Sequence, residues 1–252
     1  MIRLLGLAVI AAVGCGEPEP EVDTAPPISK ADEVGRIRAS VAAAFDTSPD
    51  SALAAMSPDR APTDVYVATE ALARSDGEAR VRYAHYLTSQ GDRSVAPLAA
   101  LVDDTEDWQI LVAAIQTLGK LRAVDAVKTV TDRLEHENSW VRMASAHALG
   151  EIGGEEALKS LESALVDTTD TVVAAALIAL GRSGYTDALA ACMPLLDHGN
   201  PRVRGAAVSA VGRLGSSLDV EILNKMSKDP DDGVRYKVKD ALLQIERRET
   251  EK

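Results

Sequence analysis

The stretch WVRMASAHALGEIG (Trp140–Gly153) decides the fold. Val141, Ser145 and Leu149 are spaced i, i+4, i+8 and share one helical face, while small residues fill the positions between them. The same pattern recurs as DWQILVAAIQTLGKL, DTVVAAALIALGRSG and PRVRGAAVSAVGRLG. Its glycines, Gly119, Gly150, Gly181 and Gly212, stand 31 residues apart, and a fifth copy carries Leu243 at the glycine position. In this register Ile110, Val141, Val172, Val203 and Val234 form one column, and Leu118, Leu149, Leu180, Val211 and Leu242 another. The glycine is expected to close the helix by supplying a permissive backbone.

A second helix is expected in each unit. Val127, Leu158, Leu189 and Val220 align, as do Val130, Leu161, Cys192 and Leu223, with Leu134, Leu165 and Leu196 continuing the face. Cys192 thus replaces a core aliphatic and reads as structural. Turns such as LDHGNPRVR join the units, with Asn200 as N-cap and Pro201 as first helical residue. Pro194 falls inside the fourth second helix, where a kink or late helix start is expected.

Two helices in 31 residues, with Asp-containing turns followed by Val-Arg, resemble the short HEAT-like repeats of the phycobilin lyase type over roughly residues 79–246. The resemblance implies an all-α solenoid of about five to six two-helix repeats. EARVRYAHYL and SVAPLAALVDD make a further pair, and residues 33–75 diverge most. The organisation expected is a signal peptide (1–14), a tether (15–32), a degenerate helical repeat or cap (33–78), the solenoid (79–248) and a charged tail (249–252).

Ala and Leu supply most of the apolar content, and aromatics make up 3% of the 252 residues. Both features favour close-packed helices over a β-sandwich. The net charge of -12 opposes nucleic-acid binding, which needs clustered Lys and Arg against phosphate.

The N-terminus, MIRLLGLAVIAAVGCGEPEP, places one Arg before the apolar run Leu4–Val13. Such a run reaches only ~15 Å as a helix, too short for a ~30 Å hydrocarbon core, so it reads as a signal peptide. Ala12-Val13-Gly14-Cys15 resembles the lipobox of bacterial lipoproteins, although that family prefers Leu where Ala12 stands. The resemblance implies that Cys15 is acylated and becomes the new N-terminus. Cleavage by ordinary signal peptidase is the other reading, leaving a soluble secreted or periplasmic protein. The following GEPEPEVDTAPPISKAD mixes Pro with acids and reads as an extended tether reaching up to ~50 Å. Gly16 after the cysteine is not the Asp that marks inner-membrane retention in some bacteria, which favours the periplasmic side of an outer membrane.

Candidate sites are few. Arg80, Arg142, Arg204 and Arg235 share a register position and are expected to pair with acids of the preceding turns, such as Asp76, Glu137, Asp197 and Asp231. His136, Asp167 and His198 share a turn column, but units packed ~8–10 Å apart cannot bring them onto one ion. Deoxyhypusine hydroxylase, a HEAT-like metalloenzyme, uses repeated His-Glu pairs, and only His136-Glu137 matches that pattern. No metal, no cofactor and no catalytic residue are expected, since P-loop, dinucleotide and nucleophile-elbow motifs are all missing from the sequence. Trp108 and Trp140, in the turns entering two adjacent first helices, read either as partner anchors or as staples over their own helices.

The expected function is that of an envelope-anchored, monomeric scaffold or adaptor that binds another protein and touches the membrane only through its lipid. Two alternatives stand beside it: an accessory or lyase-like protein handling a prosthetic group or its carrier, and a purely structural spacer.

Overall fold

The computed structural model describes residues 61–251. The signal peptide, Cys15, the tether and residues 33–60 of the cap lie outside the described residues.

The chain alternates first and second helices, and after the opening one the second helices are the shorter. The long, first helices are α2 (Gly77–Ser89), α4 (Trp108–Lys120), α6 (Ser139–Ile152), α8 (Asp170–Ser183), α10 (Pro201–Leu214) and α12 (Asp232–Thr250). The second helices are α1 (Ala61–Arg74), as long as the first helices, and the shorter α3 (Val95–Asp104), α5 (Val127–Asp132), α7 (Glu155–Ser163), α9 (Leu189–Cys192) and α11 (Val220–Met226). First helices stack on first helices, and each second helix packs against the first helices beside it, giving a two-layer α-solenoid. Described residues 249–250, expected in the charged tail, continue α12. Arg248 there donates to the carbonyls of Gly212 and Gly215 and caps the end of α10.

The apolar columns form the core. Leu118, Leu149, Leu180 and Val211 from the first layer and Val130, Leu161, Cys192 and Leu223 from the second are fully buried. Lys128, Lys159, Ala190 and Glu221, on the opposite face of the second helices, are all exposed. In the column where Leu134, Leu165 and Leu196 are buried, Ser227 is exposed.

The four periodic glycines do not end their helices. Each lies within a first helix, and each is where the next first helix comes closest. A Cβ on Gly119 would stand 2.8 Å from Ala148 Cα, and on Gly150 2.5 Å from Ala179 Cβ. Gly181 would meet Ala210 Cα at 2.9 Å, and Gly212 would meet Ala241 Cβ at 2.5 Å. Each contact joins a glycine to the alanine 29 residues on, so the pair sets the stacking distance. The real stop lies three residues later, where Gly153 (φ 71°) and Gly184 (φ 73°) take the left-handed region. Arg122 (φ 51°) occupies the same column, whereas Gly215 is extended there. Leu243, on α12 at the close-contact column, is 50% exposed. No further first helix packs over it among the described residues.

Pro194 does not delay the fourth second helix, which starts at Leu189 in the register of Val127. α9 ends at Cys192 and passes into a 3-10 turn over Met193–Asp197 with Pro194 in its first positions, where a missing N–H costs least. A 3-10 ending also occurs at Arg133–Glu135 and Ala164–Val166 without any proline, but in the Pro194 unit it begins two residues earlier in register.

Candidate functional site

The turns that lead into the first helices are built on one acceptor column. Thr105 Oγ1, His136 Nδ1, Asp167 Oδ1, His198 Nδ1 and Asp229 Oδ1 each accept the backbone N–H two residues on, at 2.7–3.2 Å. The residue reached is then the helix N-cap: Asp107, Asn138, Thr169, Asn200 or Asp231. His136, Asp167 and His198 are therefore turn-forming acceptors, and no metal-holding cluster occurs among the described residues. His85 and His147 are exposed on α2 and α6.

Two of these acceptors also receive an arginine, from the preceding unit. Arg142 donates through Nε to Asp167 Oδ2 at 2.7 Å and through Nη2 to Oδ1 at 3.0 Å. Arg204 repeats the bidentate geometry on Asp229 at 2.7 and 2.9 Å. In each case Nη1 turns back to two carbonyls of the arginine's own turn, those of His136 and Glu137 or of His198 and Gly199. The preceding turn thus offers carbonyls, and the carboxylate comes from the turn 25 residues further on, which corrects the expected pairing with Glu137 or Asp197. Hydrogen bonding from Arg204 holds the Asp229 carboxyl below the usual carboxylate range. Burial pushes the Asp167 carboxyl up, but bonds from Arg142 and Thr169 outweigh it and the net shift is also downward.

Arg235 bonds the carbonyls of Asp229 and Pro230 and pairs with Asp232 on its own helix. Arg80 differs from the other three. Among the described residues its guanidinium makes one hydrogen bond, from Nη1 to Gln109 Oε1 at 3.4 Å, and its Nε is buried without a partner. The ladder position that would face it is Thr105.

Arg80 belongs to a groove of about 480 Å³ between α2 and α4. The groove opens because the glycine–alanine pair is missing from this interface. Thr88 stands in the glycine column and Thr117 in the alanine column, and both line the opening. α2 packs on α4 more sparsely than any other consecutive first helices do. Val81, Ala84, Trp108 and Val112 provide apolar walls, with Val81 68% and Trp108 41% exposed. Trp140, at 59%, is also exposed but does not line the groove. Both tryptophans are thus exposed. The sequence reading singled out Trp108 but missed Thr88 and Thr117, whose signal was two β-branched residues in columns otherwise occupied by Gly and Ala.

Cys192, fully buried beneath α10, has its thiol pushed up to about 12 by burial, with Glu162 adding to the shift. Such a thiol is almost wholly protonated at neutral pH and lacks the thiolate that acts as nucleophile.

The family model for HEAT repeats matches residues 95–181 and 172–243, more than half of the chain. The chain belongs to the HEAT-repeat family. No curated protein matches it. Among solved structures, this HEAT-repeat chain is similar to the complex of CpcE and CpcF of phycocyanin lyase from Nostoc sp. PCC7120. The identity is 27%, the TM-score 0.53, and the match covers 69% of this chain and 74% of that one. It is also similar to a designed armadillo repeat protein in complex with the peptide (KR)4, at 19% identity and TM-score 0.52, over 72% of this chain and 99% of that one. The second likeness concerns the fold alone.

Proposed function

We propose that this HEAT-repeat protein is a non-catalytic scaffold or adaptor of the bacterial cell envelope, held to a membrane through Cys15 and its acidic tether, and that it binds another protein through the solenoid. The observation that carries the reading is the α2–α4 groove, a preformed opening whose walls expose Val81 and Trp108. Exposed large apolar residues beside basic ones are the composition of a protein-binding patch. The tether would supply reach and the lipid a fixed address, leaving recognition to the solenoid.

The similarity to the phycocyanin lyase complex favours a second reading, an accessory or lyase-like protein that handles a prosthetic group or the protein carrying it. Crosslinking and capture from envelope membranes tests both, comparing wild type with the Trp108→Ala/Trp140→Ala double variant. A defined partner recovered with the first and lost with the second is expected. Equal recovery by both chains would remove the tryptophans from the interface, and recovery of a pigment or cofactor carrier would favour the second reading. Palmitate labelling checks the anchor separately: label that persists in Cys15→Ala sinks it.

A further inference from the structure

We propose that the α2–α4 groove is the docking site for an acidic segment of the partner protein, with an apolar side chain of that segment in the wedge at Thr88 and Thr117 and a neighbouring carboxylate on Arg80. The inference rests on the reading of the chain as a protein-binding module and names the site and the chemistry of what it takes.

Charge is the first argument. The chain carries a net charge of -12, yet the groove is lined by Arg80, His85 and Lys120 and by no carboxylate. A basic lining in an acidic molecule gives an acidic segment its favourable contact here, while the acidic remainder of the surface repels that segment.

The state of Arg80 is the second. Arg142 and Arg204, its counterparts in the ladder, each direct Nε onto a carboxylate oxygen at 2.7 Å. Arg80 has the same register position, but its Nε is unpartnered, and among the described residues its guanidinium makes only the 3.4 Å contact to Gln109. Nothing in the chain's described residues supplies the carboxylate that the repeat supplies elsewhere. A ligand carboxylate would complete the guanidinium by replacing Gln109, a charge-assisted bond in place of a long neutral one.

The floor of the groove is the third. Thr88 and Thr117 donate their hydroxyls back to the carbonyls of Ala84 and Ala113, at 2.8 and 2.7 Å. Neither presents an unsatisfied donor, so the wedge between them suits an apolar side chain rather than a polar one. Trp108 closes one side and offers a rigid wall of the kind enriched in binding hot spots.

The test is selection of a random-peptide display library on the full chain, followed by affinity measurement on the enriched peptides. Enrichment of Asp- and Glu-rich peptides around an apolar residue is expected, with binding weakened about tenfold or more in Arg80→Gln. Thr105→Asp gives a second variant, which offers Arg80 an internal carboxylate and should lose binding to a similar degree while remaining folded. Basic or charge-indifferent winners, or affinity unchanged in both variants, overturn the proposal. Photo-crosslinkers placed at Val81 and, separately, at Lys159 on the second layer distinguish it from the broader reading. Adducts at Lys159 with none at Val81 overturn the groove and leave a protein-binding solenoid standing, whereas no adduct at either removes both. A Val81 adduct to a second copy, or within the chain itself, replaces the partner and also overturns the proposal.

Discussion

Arg142 and Asp167 join consecutive units through two parallel N–H···O bonds, and Arg204 and Asp229 repeat the arrangement. The intervening units do without it. Where Leu111 and Val173 replace the arginine, the acceptor 25 residues on is His136 or His198. The substitution is physically coherent, because a half-buried aspartate without its cation would be an uncompensated charge, whereas a neutral imidazole serves as the same turn acceptor.

Removing the carboxylate should therefore cost more than a surface ion pair would. The Arg204 and Asp229 side chains are 13% and 4% exposed. Asp229→Ala is expected to destabilise by about 2–3 kcal/mol, measured by urea unfolding. The pH dependence has a definite sign. Both carboxyls are lowered in the folded chain, so their contribution is present above the unfolded aspartate value of ~3.9 and is lost as pH falls through the depressed folded values. Wild type should lose stability in that acid window more steeply than an Asp167→Asn/Asp229→Asn variant.

Gly150→Ala separates the two roles a helical glycine can have. Alanine is the better helix former by about 1 kcal/mol, so a glycine kept for no packing reason would yield a more stable protein. The Ala179 contact predicts the opposite, since the new methyl has to push α8 away. A net loss of about 1–2 kcal/mol is expected, relieved in part by Ala179→Gly. Gly199→Ala, with open space around it, serves as the control and should stay within about 0.5 kcal/mol.

The repeat was legible because burial leaves its mark on every period, and the columns of Leu118 and Val130 needed no structure to be seen. The purpose of Gly150 was not, because the motif Gly150-Glu151-Ile152-Gly153 holds one glycine for close approach and another for the turn. Only the neighbouring helix shows which is which. Arg142 illustrates the same limit. Glu137 and Asp167 are both turn acids within plausible reach, and a repeat read one unit at a time points to the nearer in sequence. The alternation of Arg with Leu or Val, matched 25 residues later by Asp with His, was the available clue. Arg80 and Thr88 became informative only as departures from columns whose meaning the structure had settled.

Cys192 should resist thiol reagents. A thiol raised to about 12 is almost wholly protonated at pH 8, and its residue is fully buried. Reaction with a disulfide reagent is expected to wait for unfolding, so the labelling rate should track denaturant concentration. Fast labelling of the native protein at this residue would mean that α9 opens locally.

Thr105→Asp tests whether the ladder is transferable. Thr105 already accepts the N–H of Asp107 at 3.2 Å, the role that Asp167 performs for Thr169. An aspartate there keeps that bond and adds a second oxygen at the position from which Asp167 reaches Arg142. Arg80, one unit earlier, has the matching register and a guanidinium with incomplete bonding. The substitution is expected to stabilise by about 1–2 kcal/mol, the scale of a hydrogen bond to a charged group. A double-mutant cycle with Arg80→Ala assigns the gain: it should vanish when the arginine is absent. If it survives, the added charge acts on the N-terminus of α4 instead, and the separation of α2 from α4 is too wide for the ladder to cross.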